Sequence, residues 1–190
     1  MIPFNRLGWI FKAFAPMIYP TYIRQSLCDF LQPLKKGAKV LDIGSGTGIL
    51  CEFSARCRED LQLEALDPAR GMLKYAPSYV KTHEAYAEAL PFESTLFDAI
   101  LLGETLHHLN DVEKAIQEIR RVLRPDGRLY IYDFDPTEWI GNIIRKGELF
   151  LGEPGNFFKP EEIKVVLEKY GFSVEIKQYG YRYTVSARAV

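Results

Sequence analysis

The chain lacks an excess of charge of either sign, and it lacks a long unbroken apolar run. Its 190 residues include 24 basic and 25 acidic side chains, whereas a large nucleic-acid interface needs a clustered basic excess. We therefore expect no nucleic-acid partner. The apolar stretch over residues 8–23 is interrupted by Lys12, Pro16 and Pro20, and a bilayer span needs about twenty continuous apolar residues. No small-residue cleavage site follows this stretch, so the sequence predicts a cytoplasmic protein.

Cysteine and histidine are also scarce. The three cysteines, Cys28, Cys51 and Cys57, form no CxxC pair, so the sequence predicts buried free thiols rather than a disulfide framework or a zinc site. Only three histidines are present, and no group of His, Cys and carboxylate residues has metal-ligand spacing. We therefore expect no metal. The chain also has no GxSxG nucleophile elbow, which argues against a hydrolase triad.

Apolar content is ample, and its periodicity alternates along the chain. Hydrophobic residues make up 47% of the sequence, enough for one domain over residues 1–190 with a substantial core. Strand-like and helical segments alternate, which predicts an α/β fold with a parallel sheet and helices on both faces. Strands are expected near 38–43, 61–67, 80–86, 97–103 and 127–133, and helices after Thr21, near 47–58, 69–76 and 111–123, and from Lys159. Two further strand-like runs, 172–179 and 181–188, meet at Gly180, and so short a connection requires antiparallel pairing.

The most informative stretch is VLDIGSGTG, residues 40–48. An apolar run of buried-strand type leads into glycines at GxGxG spacing, and from Ile49 the apolar positions recur at helical intervals. Glycines let a ligand lie against the main chain without a Cβ in the way. The helix N-terminus that follows offers unpaired N–H groups. This pattern predicts a small-molecule pocket at the carboxyl end of a parallel strand.

The spacing of the glycines disfavours a dinucleotide. The dinucleotide fingerprint requires GxGxxG, and Ile49 stands at the position of its third glycine. Asp42, at the end of the strand, would repel a pyrophosphate and suits a cationic group such as the ammonium of an amino acid. A nicotinamide-dependent oxidoreductase is therefore the less favoured alternative.

The same stretch resembles the nucleotide-binding motif of class I S-adenosylmethionine-dependent methyltransferases. Further segments agree in order and spacing: LQLEALD ending at Asp67, AEALPFESTLFDAILLGETLHHL over 87–109, LRPDGRLYIYD over 123–133 and FKPEEIKVVLEKYGFSVE over 158–175. The similarity covers residues 38–190. ALPF followed by FDAI and LHHL most resembles the small-molecule branch that includes the ubiquinone and menaquinone biosynthesis C-methyltransferases.

The resemblance implies a doubly wound, mostly parallel, seven-stranded Rossmann-like sheet with a C-terminal antiparallel hairpin. It implies S-adenosylmethionine as cofactor, S-adenosylhomocysteine as product, and a small, aromatic or lipid-like methyl acceptor. The alternative is a non-catalytic protein of the same fold that binds these two molecules. Asp67 is expected on the ribose hydroxyls. The cofactor-binding positions expected from the motif and the resemblance are Asp42, Gly44, Ser45, Gly46, Gly48, Asp67, Pro68, Ala87, Glu88 and Gly103.

One position departs from the pattern of that branch. Its adenine-recognition turn reads GDAExLPF, and Tyr86 stands here in place of the aspartate. A phenol can accept a hydrogen bond or stack, and Glu88 or the backbone of Ala87 are the alternative partners for adenine.

His107 and His108 follow the fourth expected strand and are the candidate general bases, with His107 the better one. The alternative for each is a structural histidine packed under the loop. Residues 134–158 are expected to form a lid insertion and residues 1–37 an N-terminal helical cap, which together roof the pocket. The basic N-terminal segment is also a candidate for peripheral membrane contact. The aromatic residues expected in the roof are Trp9, Phe11, Phe14, Tyr19, Trp139, Phe150, Phe157 and Phe158.

Overall fold

The computed structural model describes Lys12, residues 17–152 and residues 155–190. Predictions for the other residues, including Trp9, Phe11, Phe14 and most of the segment expected at a membrane, lie outside this part. The helices are α1 (Thr21–Leu31), α2 (Ile49–Cys57), α3 (Arg70–Leu73), α4 (Val112–Val122), α5 (Trp139–Phe150) and α6 (Pro160–Lys169), with a 3₁₀ turn at Leu106–His108. The strands are β1 (Lys39–Ile43), β2 (Gln62–Leu66), β3 (Lys81–His83), β4 (Phe97–Gly103), β5 (Leu123–Phe134), β6 (Phe172–Tyr179) and β7 (Arg182–Ala189).

The strands form one seven-stranded sheet in the order β3-β2-β1-β4-β5-β7-β6. β1 pairs in parallel with β2 and β4, and β5 extends the parallel part beyond β4. β7 is antiparallel to both β5 and β6. The fold expected from the sequence is confirmed: a doubly wound, mostly parallel sheet that a C-terminal hairpin closes. The strand order reverses between β1 and β4, which is where such sheets bind ligands.

Two apolar clusters cover the two faces of the sheet. Because side chains alternate along a strand, β1 sends Leu41 and Ile43 to one face and Val40 to the other. The first cluster contains the buried stripes of α4 and α6, and the second contains those of α1 and α2. The central strands, buried on both faces, therefore read as continuous apolar runs in the sequence.

Two elements differ from their predicted bounds. The helix expected near 69–76 covers only Arg70–Leu73, and Pro77 prevents its continuation through Ala76. β5 begins at Leu123 rather than near 127, since Leu123 pairs with Phe97 before residues 124–127 bulge out of the register. Residues 124–127, which precede the start of the strand predicted near 127, therefore form a bulge inside β5.

The prediction of free thiols is wrong for two of the three cysteines. Cys28 on α1 and Cys57 at the end of α2 form a disulfide, with their Cα atoms 5.3 Å apart, and Cys51 is free and buried. The paired residues are 29 positions apart, and only the packing of α1 on α2 brings them together. The bond fixes α1 against the helix that follows the glycine turn.

None of the helices that the structure describes combines the length and the apolar character that a bilayer span requires.

Candidate active site

A cavity of about 290 Å³ opens at the carboxyl ends of β1, β2 and β4. Of the ten predicted cofactor positions, all but Asp42 and Gly48 line it, and so does His107. The lining positions are Gly44, Ser45, Gly46, Asp67, Pro68, Ala87, Glu88 and Gly103. Segments that are remote in the chain therefore meet where the motif predicts a pocket.

The glycine turn requires glycine for two separate reasons. Gly44, Gly46 and Gly48 have φ of 64°, 53° and 76°, a region that other residues rarely adopt. A Cβ on Gly44 would lie 2.1 Å from Cγ2 of Thr105, so packing also excludes a side chain there. At Gly46 the nearest atom to such a Cβ is the flexible Cε of Met72, at 3.2 Å. A side chain on Gly46 would therefore enter the cavity rather than the core.

Asp67 closes this turn from the end of β2. Its Oδ2 accepts the backbone N–H of Gly46 at 2.8 Å, and its Oδ1 accepts the N–H of Ala69 at 2.7 Å. Burial raises the pKa of Asp67, while these two hydrogen bonds act in the opposite direction. Each carboxylate oxygen keeps further acceptor capacity. The side chain therefore holds the turn and still offers acceptors to ligand hydroxyls.

Two hydroxyl groups on the turn have no protein partner in the described part of the chain. Ser45 Oγ and Thr47 Oγ1 are buried without a hydrogen bond, and both residues line the cavity. Buried polar atoms normally have partners. Together with the cavity beside Gly46, these orphaned atoms fit a polar ligand that lies along the turn.

Asp42 lies beneath the cavity rather than in its lining. It is 1% exposed, and Cys51 Sγ lies 3.6 Å from its Oδ2. Burial raises the pKa of Asp42 to about 8, although the contact with Cys51 opposes the shift. Its Oδ1 is buried without a hydrogen-bond partner among the described residues, and Asp42 is not among the residues that line the cavity. The motif placed Asp42 correctly at the strand end, but side-chain alternation turns it away.

The adenine-recognition turn provides an exposed Tyr86 and a buried Ala87, and both line the cavity. Glu88 also reaches the cavity, but its Oε1 accepts the backbone N–H groups of Asn110 and Asp111 at 2.8 and 3.2 Å. Glu88 therefore supports the N-terminus of α4. This contact engages Glu88, whereas the structure describes no such role for Tyr86 or Ala87 in the cavity lining.

The end of β4 contributes a carboxylate, Glu104, that was not among the site residues predicted from the sequence. Glu104 lines the cavity and has φ of 52°, an unusual conformation for a residue with a side chain. Burial, and secondarily the charge of Asp133, raise the pKa of Glu104 to about 7. Beside it, the Tyr19 hydroxyl donates to the carbonyl of Gly103 at 3.1 Å. The sequence carries no signal for Glu104, because its positive φ and its burial follow from the fold.

His107 is 2% exposed and lies between two carboxylates. Its Nδ1 is 2.8 Å from Asp133 Oδ1, and its Nε2 is 3.3 Å from Glu148 Oε2. Burial lowers the pKa of His107, but Asp133 and then Glu148 outweigh it and raise the pKa to about 10. At neutral pH the ring is then a cation and cannot accept a proton. This does not fit the general-base role expected from the sequence.

The fold brings together possible metal ligands that are not all adjacent in the sequence. His107, His108 and Glu148 each offer one ligand atom, and these atoms lie within 4.8 Å of one another. Glu148 comes from α5, far along the chain, so ligand spacing in the sequence could not reveal the group.

The two segments expected to roof the pocket contribute unequally among the described residues. Tyr19 lines the cavity, and the Phe157 ring stacks on that of His107 with centroids 5.0 Å apart. Trp139 and Phe150 instead face solvent, with 71% and 89% of their surface exposed. α5 thus reaches the cavity through Glu148 rather than through its aromatic residues.

Comparison with known proteins identifies the family. A family model described as a methyltransferase domain matches residues 41–131. A ubiquinone/menaquinone biosynthesis C-methyltransferase of Campylobacter jejuni is 30% identical over 169 residues, covering 78% of this chain and 72% of that protein. The chain belongs to this methyltransferase family. An uncharacterised methyltransferase of Bacillus subtilis is 36% identical over 104 residues, covering 50% of this chain and 40% of that protein.

Solved structures agree in fold with this methyltransferase. An S-adenosylmethionine-dependent methyltransferase from Aquifex aeolicus superposes with a TM-score of 0.79 over 100% of both chains, at 22% identity. The resemblance found in the sequence is therefore confirmed, and S-adenosylmethionine is the cofactor of the methyltransferase.

Replacing Asp67 by asparagine is expected to weaken binding of S-adenosylhomocysteine at least about tenfold, because a hydrogen bond to a charged group contributes about 1.5–3 kcal/mol. Asp67 accepts hydrogen bonds from two backbone N–H groups. In asparagine, the NH2 group would face one of these N–H groups, so two donors would meet and that hydrogen bond would be lost. Isothermal titration calorimetry measures the affinity. Asp60→Asn is the matched control, since Asp60 accepts the N–H of Gly37 at 2.8 Å and does not line the cavity. Equal affinities in the two variants would remove Asp67 from the cofactor site.

Proposed function

We propose that this methyltransferase transfers a methyl group to a small, aromatic or lipid-like acceptor. The observation that carries the proposal is that the cavity has both polar and apolar lining residues. Besides the polar glycine turn, the cavity lining includes the apolar or aromatic side chains of Ile18, Tyr19 and Leu109. Apolar lining of this kind suits a flat or hydrophobic molecule. The Campylobacter jejuni relative, named as a quinone-biosynthesis C-methyltransferase, supports an acceptor of that class.

The residues of the turn fit the cofactor. We propose that Ser45 and the backbone of Gly46 bind its polar groups, that Asp67 accepts from its ribose hydroxyls, and that Ala87 contacts its base. S-adenosylmethionine supplies the activated methyl group when bound. The work of the protein is then to bind, to orient the acceptor and to exclude water.

For an acceptor that must lose a proton, we propose Glu104 as the general base. It lines the cavity at the end of β4, and its pKa of about 7 is close to the optimum for a base that works at neutral pH. His107, which lies between Asp133 and Glu148 in the cavity lining, would help to orient the acceptor instead. We further propose that α5, within residues 134–158 of a single domain, acts as a lid through Glu148.

The proposed function is tested in two steps with the full chain. Calorimetry with S-adenosylmethionine, S-adenosylhomocysteine and NAD in parallel is expected to show binding of the first two alone. Transfer of a radiolabelled methyl group is then measured to hydroquinones, naphthoquinols, simple phenols and RNA. We expect label in one of the small aromatic compounds and none in RNA.

Three alternative results would each contradict part of the proposal. Label in RNA would overturn the acceptor class. Binding of S-adenosylhomocysteine without transfer to any of the small acceptors would favour the non-catalytic binding protein. Binding of NAD would favour an oxidoreductase.

A further inference from the structure

Three ligand atoms converge beside the cofactor cavity without taking part in the glycine turn. They belong to His107 and His108 on the 3₁₀ turn after β4 and to Glu148 near the end of α5, and they lie within 4.8 Å of one another. All three residues line the cavity. The imidazole rings of the two histidines are adjacent, with centroids 4.1 Å apart.

The spacing between His107 and Glu148 is that of metal ligands rather than of a strong hydrogen bond. A charge-assisted N–H···O bond is typically about 2.7–2.9 Å long, whereas Nε2 of His107 and Oε2 of Glu148 are 3.3 Å apart. Two ligands at about 2.1 Å from a tetrahedral ion are separated by about 3.4 Å. Oε2 of Glu148 is buried and accepts no hydrogen bond from the described residues. The oxygen is therefore close to the ring nitrogen but not aligned with its N–H direction.

Asp133 provides the support that a metal-binding histidine usually has. Its Oδ1 lies 2.8 Å from Nδ1 of His107 and also accepts the backbone N–H of Phe134 at 2.8 Å. A carboxylate on Nδ1 keeps the hydrogen there, so a metal ion would bind Nε2 by displacing the proton that this nitrogen carries in the metal-free cation. Phe157 stacks on the ring with an interplanar angle of 5°. The orientation of the ring is thus fixed before any ion binds.

We propose that His107, His108 and Glu148 bind a divalent metal ion of the zinc class. Two imidazoles and one carboxylate form the donor set of zinc sites that keep an open coordination position. Because the three residues line the cavity, that position would face the acceptor. If the proposed methyl transfer holds, the ion would bind an oxygen of the acceptor and orient it. The binding of the ion itself does not depend on that activity.

The test measures zinc binding to the metal-stripped protein. Calorimetry gives the affinity, and elemental analysis after dialysis gives the number of zinc ions per chain. We expect one zinc per chain, and we expect Glu148→Gln and His108→Gln each to weaken the affinity at least about tenfold. Asp133→Asn is expected to weaken it by about 10–100-fold, the usual effect of losing an outer-shell partner. His83→Gln is the matched control, since His83 also pairs with a glutamate, Glu64, at 2.6 Å but does not line the cavity. Its zinc affinity should equal that of the wild type.

Several outcomes would overturn the metal site. The wild type could retain no zinc, the two ligand variants could bind zinc as the wild type does, or zinc could be lost in His83→Gln. Circular dichroism of each variant shows whether a loss reflects unfolding, and the His108→Gln variant serves if Glu148→Gln does not fold. Titration of metal-stripped wild type with S-adenosylhomocysteine separates the two proposals. Cofactor binding without zinc binding overturns the metal site alone, and zinc binding without cofactor binding overturns the proposed function alone.

Discussion

Replacing Gly46 by valine is expected to weaken cofactor binding strongly while the chain still folds. The residue has φ of 53°, and its side chain would extend past Met72 into the cavity. A β-branched residue in the left-handed region costs about 1–2 kcal/mol of stability, which a folded domain tolerates. The two methyl groups of the valine side chain, by contrast, would occupy space that the ligand needs. We expect the affinity for S-adenosylhomocysteine, measured by calorimetry, to fall by up to about a hundredfold, since overpacking a tight site costs about 1–3 kcal/mol and about 2.8 kcal/mol corresponds to a hundredfold loss.

Gly180→Val is the matched control for this experiment. Gly180 has φ of 63° and joins β6 to β7, and a Cβ there would meet nothing within 4 Å. The same backbone strain is therefore introduced away from the cavity. Thermal unfolding of the two variants should shift similarly, while only Gly46→Val loses the ligand. A Gly46→Val protein that binds as tightly as the control would refute the glycine-turn pocket.

Replacing Glu104 by glutamine is expected to lower the rate of methyl transfer by about 10²–10⁴-fold, the usual contribution of a general base. Glutamine keeps the size of the side chain but cannot take a proton at neutral pH. Binding of S-adenosylhomocysteine should change little, so the loss should appear in kcat. The measurement is transfer of a labelled methyl group to an acceptor found by the panel described above.

The pH dependence of the wild-type rate provides a second measurement. A base must be deprotonated to act, so the rate is expected to rise as the pH increases through about 7, the pKa of Glu104. Burial and Asp133 raise that pKa, whereas His107, Tyr132 and Arg182 lower it. In the glutamine variant this rise should disappear.

Glu64→Gln is a suitable control, because Glu64 is a half-buried carboxylate on β2 that pairs with His83 outside the cavity. It should leave both the rate and its pH dependence unchanged. If Glu104→Gln instead weakens binding of S-adenosylhomocysteine and leaves kcat unchanged, Glu104 holds the cofactor and is not the base.

The sequence by itself determined the fold and the glycine turn of this protein. Alternating strand and helix patterns fix a parallel sheet, because each pattern reflects which face of an element is buried. The turn at Gly44–Gly48 follows from the backbone conformation that glycine permits, and Asp67 follows from the end of the next strand. These features depend on residues close together in the chain.

Only the tertiary structure decided the chemistry around that turn. Asp42 lies at the predicted strand end, yet packing buries it against Cys51 rather than in the cavity. Burial beside Asp133 moves the pKa of Glu104 to about 7, and no local pattern carries information on burial by distant segments.

The disulfide and the contact between His107 and Glu148, which the sequence did not predict, have the same physical origin. The Cys28–Cys57 disulfide forms because α1 packs on α2, and His107 meets Glu148 because α5 folds back over the end of β4. Distances between such groups are set by helix and sheet packing rather than by their separation in the chain. The sequence therefore determines where a ligand can bind, and the packing of remote elements determines which charges and ligand atoms surround it.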